Sequence, residues 1–193
     1  SYYNMAVALE EAGNTKAAIE AYKTAISNNP DFSDAYNNLG ILLSMSGMME
    51  EALKVYQEGA ERNPRNPGLY FNMGMCLFEE GRYKEAAAAY QNALAIKPDE
   101  FEIYYYLGAA YTEMRHYNDA IEAYRSALRI KSSDGELYYN LASIYAMLGR
   151  YDISIENLQK AVENNKQILE DVIDNKVFSG MRGREDFKQL ISG

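Results

Sequence analysis

One spacing constrains this chain more than any other feature: residues of the same kind return every 34 positions. Gly13, Gly47, Gly81 and Gly149 share one slot, which Arg115 fills in the fourth copy. Ala18, Ala52, Ala86 and Ala120 share a second, with Ser154 in the last copy. Tyr22, Tyr56, Tyr90 and Tyr124 make a third, ending in Leu158, and Tyr2, Tyr36, Tyr70, Tyr104 and Tyr138 fill a fourth without a break. Pro30, Pro64 and Pro98 close three copies, where Ser132 and Lys166 stand in the last two. A period of about 20 to 50 residues marks an array of one small unit that buries its apolar face only against its neighbours.

The unit is a helix–turn–helix. Tyr36, Leu39, Gly40 and Leu43 fall at i, i+3, i+4 and i+7, one face of a first helix. Gly47 breaks the pattern and supplies the turn. Ala52, Val55, Tyr56 and Gly59 repeat the spacing on a second helix, which Pro64 ends. Small residues at Gly40 and Ala52 let the two helices approach, and the slot residues form the core. Arg115 in the turn slot predicts a strained backbone, because a left-handed conformation costs Arg more than Gly. Gly59, where the other copies have Ala, predicts a weakened helix. Ser133 and Glu136 match a capping box at the start of the fifth copy.

These landmarks resemble the tetratricopeptide repeat (TPR) family. The resemblance implies an all-α, right-handed superhelical solenoid of five repeats, at about 1–32, 33–66, 67–100, 101–134 and 135–166. The tail 167–193 leaves the period. There Ile168, Leu169, Val172 and Ile173 form an apolar stripe, a turn is expected around Phe178, Ser179, Gly180 and Gly183, and Glu185 to Ile191 predicts a last short helix. Such an end covers the exposed face of the final repeat. The first helix has no matching cover in the sequence, so its outer face is expected to be bare.

No catalytic constellation stands out. The single histidine, His116, sits in a turn beside Arg115, and the single cysteine, Cys76, sits inside a helix with nothing basic beside it to activate it. Two such residues are too few for a zinc site, and the glycines follow the repeat rather than a phosphate loop. The expectation is a non-enzyme with no cofactor and no metal. A net charge of −9 argues against nucleic acid, whose phosphates need clustered Lys and Arg. No run of 18 apolar residues predicts a membrane span. No basic-then-apolar leader precedes the repeats, and the frame opens at Ser1 inside a repeat, which leaves the compartment open with a lean towards the cytoplasm.

In this family the first helix of each repeat lines a concave groove, so the resemblance implies a site built from fixed places in those helices. The sixth place reads Asn4, Asn38, Asn72, Tyr106 and Asn140. An asparagine both donates and accepts, so a column of them can pair with the backbone of an extended peptide. The fifth place reads Tyr3, Asn37, Phe71, Tyr105 and Tyr139, and the ninth Val7, Ile41, Met75, Ala109 and Ser143, an aromatic and apolar strip. Inward acids are Glu10, Glu11, Asp34, Glu79, Glu102, Glu113 and Glu136, with no Lys or Arg among the inward places. Asp34, Glu102 and Glu136 also suit the macrodipole of the first helical turn. Relatives that grip the acidic tails of heat-shock chaperones use groove cations, which this chain lacks.

The expected function is a scaffold that binds an extended, neutral or basic segment of a protein partner. Asn4, Asn38, Asn72 and Asn140 would pair with its backbone, Phe71, Tyr105, Tyr106 and Tyr139 would contact its side chains, and Glu79 and Glu113 would set a preference for cations. The alternatives are a module that self-associates through its N-terminal repeat and a segment of a larger protein, such as the targeting domain of an enzyme.

Overall fold

The computed structural model describes residues 1–192 and is all-α over them. Ten helices follow the period: α1 (Tyr2–Glu11), α2 (Thr15–Asn28), α3 (Ser33–Met45), α4 (Met49–Arg62), α5 (Pro67–Glu79), α6 (Tyr83–Ile96), α7 (Phe101–Glu113), α8 (Tyr117–Ile130), α9 (Gly135–Met147) and α10 (Tyr151–Asn164). After them come α11 (Ile168–Asp174), a 3-10 helix (Lys176–Met181) and α12 (Glu185–Ser192). None of the described helices is long and apolar enough to cross a membrane. Two compact units divide the chain, one ending at Asp99 and the other beginning at Glu100.

In the first unit α1 packs on α2, α3 on α4 and α5 on α6, while α2 meets α3 and α4 meets α5. The turns that close these hairpins explain the glycine slot. Gly47 has φ 78°, its N–H donates to the Ser44 carbonyl, and the Met48 N–H reaches back to the Leu43 carbonyl at 2.9 Å. That pair of bonds stops a helix with one left-handed residue. In the second unit the same pair recurs around Arg115, from Arg115 N–H to Thr112 and from His116 N–H to Tyr111. Arg115 is thereby held at φ 59°, the one described non-glycine residue with positive φ. A Cβ at Gly47 would meet no other atom within 4 Å, so Gly47→Ala isolates the backbone cost, about 1–2 kcal/mol of lost stability. Arg115→Gly is expected to act in the opposite sense. It gains about 0.5–1 kcal/mol once the extra freedom of glycine in the unfolded chain is subtracted, as read by urea denaturation.

Between the helices of a pair, a glycine faces a tyrosine. Gly40 lies against the ring of Tyr56, Gly74 against Tyr90 and Gly108 against Tyr124, all three rings being buried. The last copy changes both partners, to Ala142 and Leu158, which share one buried cluster. Gly59 also marks a close approach: a Cβ there would fall 2.8 Å from Tyr36 Cβ. Its weak helix propensity is therefore the cost of seating the buried Tyr36 ring. Of the tyrosines at the fourth place of each repeat, Tyr36 is buried, Tyr70, Tyr104 and Tyr138 are half-buried and Tyr2 is exposed, so only part of that slot is core.

The second unit pairs α7 with α8 and α9 with α10, and α8 packs on α9. Its α9 begins differently from the capping box expected at Ser133. Asp134 is the N-cap, its carboxylate accepting the Leu137 N–H at 3.1 Å while also taking the Lys131 ammonium at 2.6 Å. The tail closes this unit. Ile168, Val172, Phe178, Met181 and Phe187 bury themselves with Ala142, Ile155, Leu158 and Ala161. Ile173, expected in the apolar stripe, is exposed instead, one position beyond the buried side of the short α11. The expected turn at Phe178 to Gly180 is a 3-10 helix, started by the Asn175 carbonyl Oδ1, which accepts the Val177 N–H at 3.0 Å.

Candidate partner-binding face

The first helix of each pair carries the fifth- and sixth-place residues, and in the first unit these residues are tied together. Asn38 on α3 donates from Nδ2 to the Tyr3 hydroxyl on α1 at 3.0 Å. Asn72 on α5 donates from Nδ2 to Asn37 Oδ1 on α3 at 3.1 Å. The sixth place thus bonds to the fifth place of the preceding repeat, over 35 residues each time. Both bonds leave from the amide nitrogen, so the acceptor of each asparagine, its carbonyl oxygen, is not used in them. Asn4 is exposed on α1 and Asn140 is half-buried on α9.

In the second unit a bond of the same kind comes from a residue the periodicity does not point to. Asn175, 36 residues after Tyr139, donates from Nδ2 to the Tyr139 hydroxyl at 2.8 Å. The tail therefore copies the rung that a further repeat would supply. The period hides this residue because the tail is out of phase with the 34-residue frame.

Below the ladder, tyrosines of the second helices reach through the pair. Tyr22 is buried, yet its hydroxyl donates to Glu10 Oε2 at 2.8 Å and lies 3.4 Å from Asn38 Nδ2. Burial, reinforced by the Glu10 bond, holds that hydroxyl well above its ordinary pKa, so it stays protonated and donating. Around it opens a pocket of about 580 Å³, lined by Val7, Glu10, Glu11, Asn38, Ile41 and Met45 among others. Met45 is 79% exposed and Ile41 38%, an apolar wall facing solvent beside two carboxylates.

The predicted aromatic strip is half-buried rather than free. The Phe71 ring lies 5.9 Å from that of Tyr90, Tyr105 lies 6.1 Å from Tyr124, and Tyr139 lies 5.7 Å from Phe178. Each strip ring leans on the core and offers only part of its surface. A second pocket, of about 250 Å³, brings Tyr105 and Tyr106 together with Phe101, Glu102, Asp134 and Glu136. Glu79 and Glu113 are exposed near the ends of α5 and α7, and neither lines these two pockets.

Other reactive groups are accounted for locally. Cys76 is buried against Met49, with Sγ 3.5 Å from its Sδ, and burial together with Glu80 and Glu79 pushes the thiol up to about 11. It stays a thiol at neutral pH. His116 is half-exposed, 3.8 Å from Asp119. Among the described residues no group of three His, Cys, Asp or Glu is placed to hold a metal ion.

A family model described as the cilia and flagella-associated protein 70 C-terminal domain matches residues 2–173. The chain belongs to this tetratricopeptide-repeat family. No curated protein matches the sequence significantly. Among solved structures, a crystal structure of MamA is 24% identical, covers 86% of this chain and 96% of its own, and superposes with a TM-score of 0.79. MamA from Desulfovibrio magneticus RS-1 is 20% identical, with coverages of 86% and 94% and a TM-score of 0.77. YrrB, described as a TPR protein with an unusual peptide-binding site, is 18% identical, with coverages of 94% and 90% and a TM-score of 0.76. At these identities the likeness speaks for the fold, an all-α TPR solenoid. Membership of a tetratricopeptide-repeat family supports a protein-interaction scaffold in general terms.

Proposed function

We propose that this TPR protein receives an extended, neutral or basic segment of a partner protein along the face formed by α1, α3 and α5, with α7 and α9 carrying the corresponding places of the second unit. The observation that carries the reading is the tied asparagine column. Asn38 and Asn72 are held in place by Tyr3 and Asn37, so their carbonyls meet a ligand without first being ordered. The pocket beside Asn38 adds an apolar wall and two carboxylates, which suits a segment with aliphatic and cationic side chains. The fold shared with YrrB, a protein described by its peptide-binding site, is consistent with this use.

Arrayed basic, neutral and acidic peptides test it. Basic or neutral members are expected to bind the wild type. In Asn38→Ala/Asn72→Ala the loss of two hydrogen bonds costs about 1–3 kcal/mol, roughly five-fold to a hundredfold in affinity. Circular dichroism verifies that the double variant remains folded. Equal binding by the double variant sinks the reading.

A further inference from the structure

The asparagine column is interrupted once, at Tyr106, and the interruption coincides with the second pocket. Tyr106 stands edge-on to Tyr105, with centroids 5.4 Å apart and planes at 84°, and Phe101 stacks on Tyr105 at 6.4 Å. These three rings share the 250 Å³ pocket with the carboxylates of Glu102, Asp134 and Glu136. Ring faces attract cations through their quadrupole, and carboxylates at the rim add the complementary charge.

The same chemistry is already used once within the fold. Lys131 holds its ammonium 4.9 Å from the centre of the Phe101 ring and 2.6 Å from Asp134 Oδ2. The bond to Asp134 keeps that ammonium charged above its ordinary range. Both Phe101 and Asp134 also line the pocket, so the surface that seats an internal lysine has two further carboxylates and two further rings beside it. No lysine or arginine lines the pocket itself.

We propose that this pocket takes a lysine side chain of the partner segment, its stem along Tyr105 and Tyr106 and its ammonium at Glu102 and Glu136. The proposal rests on the reading that the first-helix face receives a partner, and it assigns the second unit a selective role where the asparagine column gives way to Tyr106. The expected ligand therefore carries lysine at the place that faces α7 and α9.

N-acetyl-lysine methylamide is the probe, against N-acetyl-norleucine methylamide, which keeps the aliphatic stem and lacks the charge. Binding to the full chain is followed by NMR. Saturable shifts at Tyr105, Tyr106 and Glu136 are expected with the lysine probe, at least five-fold weaker with norleucine, and weaker again in 0.5 M salt. Glu102→Gln/Glu136→Gln, both exposed positions, should lose at least five-fold for the lysine probe while leaving norleucine unchanged. Indistinguishable responses to the two probes overturn the proposal, as do lysine shifts that gather elsewhere. The asparagine reading is tested separately in the first unit. Peptides that depend on Asn38 and Asn72 with no lysine preference would remove this proposal alone, and lysine binding without any peptide binding would remove only the other.

Discussion

Phe178→Ala is expected to lower the unfolding free energy by about 3–5 kcal/mol, the usual cost of emptying a buried aromatic site. Phe178 is fully buried, sits edge-on to Tyr139 at 5.7 Å and shares its cluster with Met181, Phe187 and Leu158. The ring therefore joins the 3-10 helix, α12 and α10 in one core. Its neighbour Asn175 anchors the same segment to Tyr139. Losing the ring should release the tail and expose Ala142, Ala161 and Ile168 together, so hydrogen exchange should rise from α9 onwards. A loss below about 1 kcal/mol, the ordinary size for a surface change, would mean the tail does not close this core.

The glycine–tyrosine pairs predict a coupling. A Cβ at Gly108 would fall 2.6 Å from Tyr124 Cε1, so Gly108→Ala forces the buried ring aside at about 1–3 kcal/mol. The better helix propensity of alanine returns only about 1 kcal/mol. Tyr124→Leu alone leaves a void, and a cost of similar size is expected from it. Together the two substitutions rebuild the arrangement already present at Ala142 and Leu158. The double variant is therefore expected to be more stable than the sum of the single effects by about 0.5–3 kcal/mol, in a denaturation cycle. The first repeat bounds the estimate, since Ala6 stands opposite the buried Tyr22 without a glycine. There the hydroxyl of Tyr22 is drawn to Glu10, and in the fourth repeat Thr112 stands at the same place and bonds the Tyr124 hydroxyl. Both pairs are thus closed in the same way, so additivity at Gly108 and Tyr124 would count against the steric account.

The repeat architecture was legible because packing in a solenoid is local. Each glycine turn, each buried tyrosine and each small residue opposite it answers to partners within one or two copies, so a fixed period carries the whole core. Arg115 shows how strongly: the chain keeps both turn bonds and forces φ 59° on an arginine rather than reshape the hairpin. Legibility fell where the period stops or where a side chain serves two places. Asn175 bonds Tyr139 from outside the frame, Asp134 rather than Ser133 caps α9 while also holding Lys131, and Tyr22 reaches Glu10 from a core slot. The family resemblance implies a groove position for the strip aromatics without revealing that Phe71, Tyr105 and Tyr139 lean on the core, since that depends on ring orientation rather than on spacing.

The side-chain amide signals of Asn38 and Asn72 offer the most direct test of peptide capture. The measurement is an NMR spectrum of 15N-labelled protein with and without a peptide that binds in the array. Both amides are expected to shift on binding, together with backbone signals of α1, α3 and α5. Tight binding that leaves both amides in place, with the shifts gathered on α2, α4 and α6, would contradict the account.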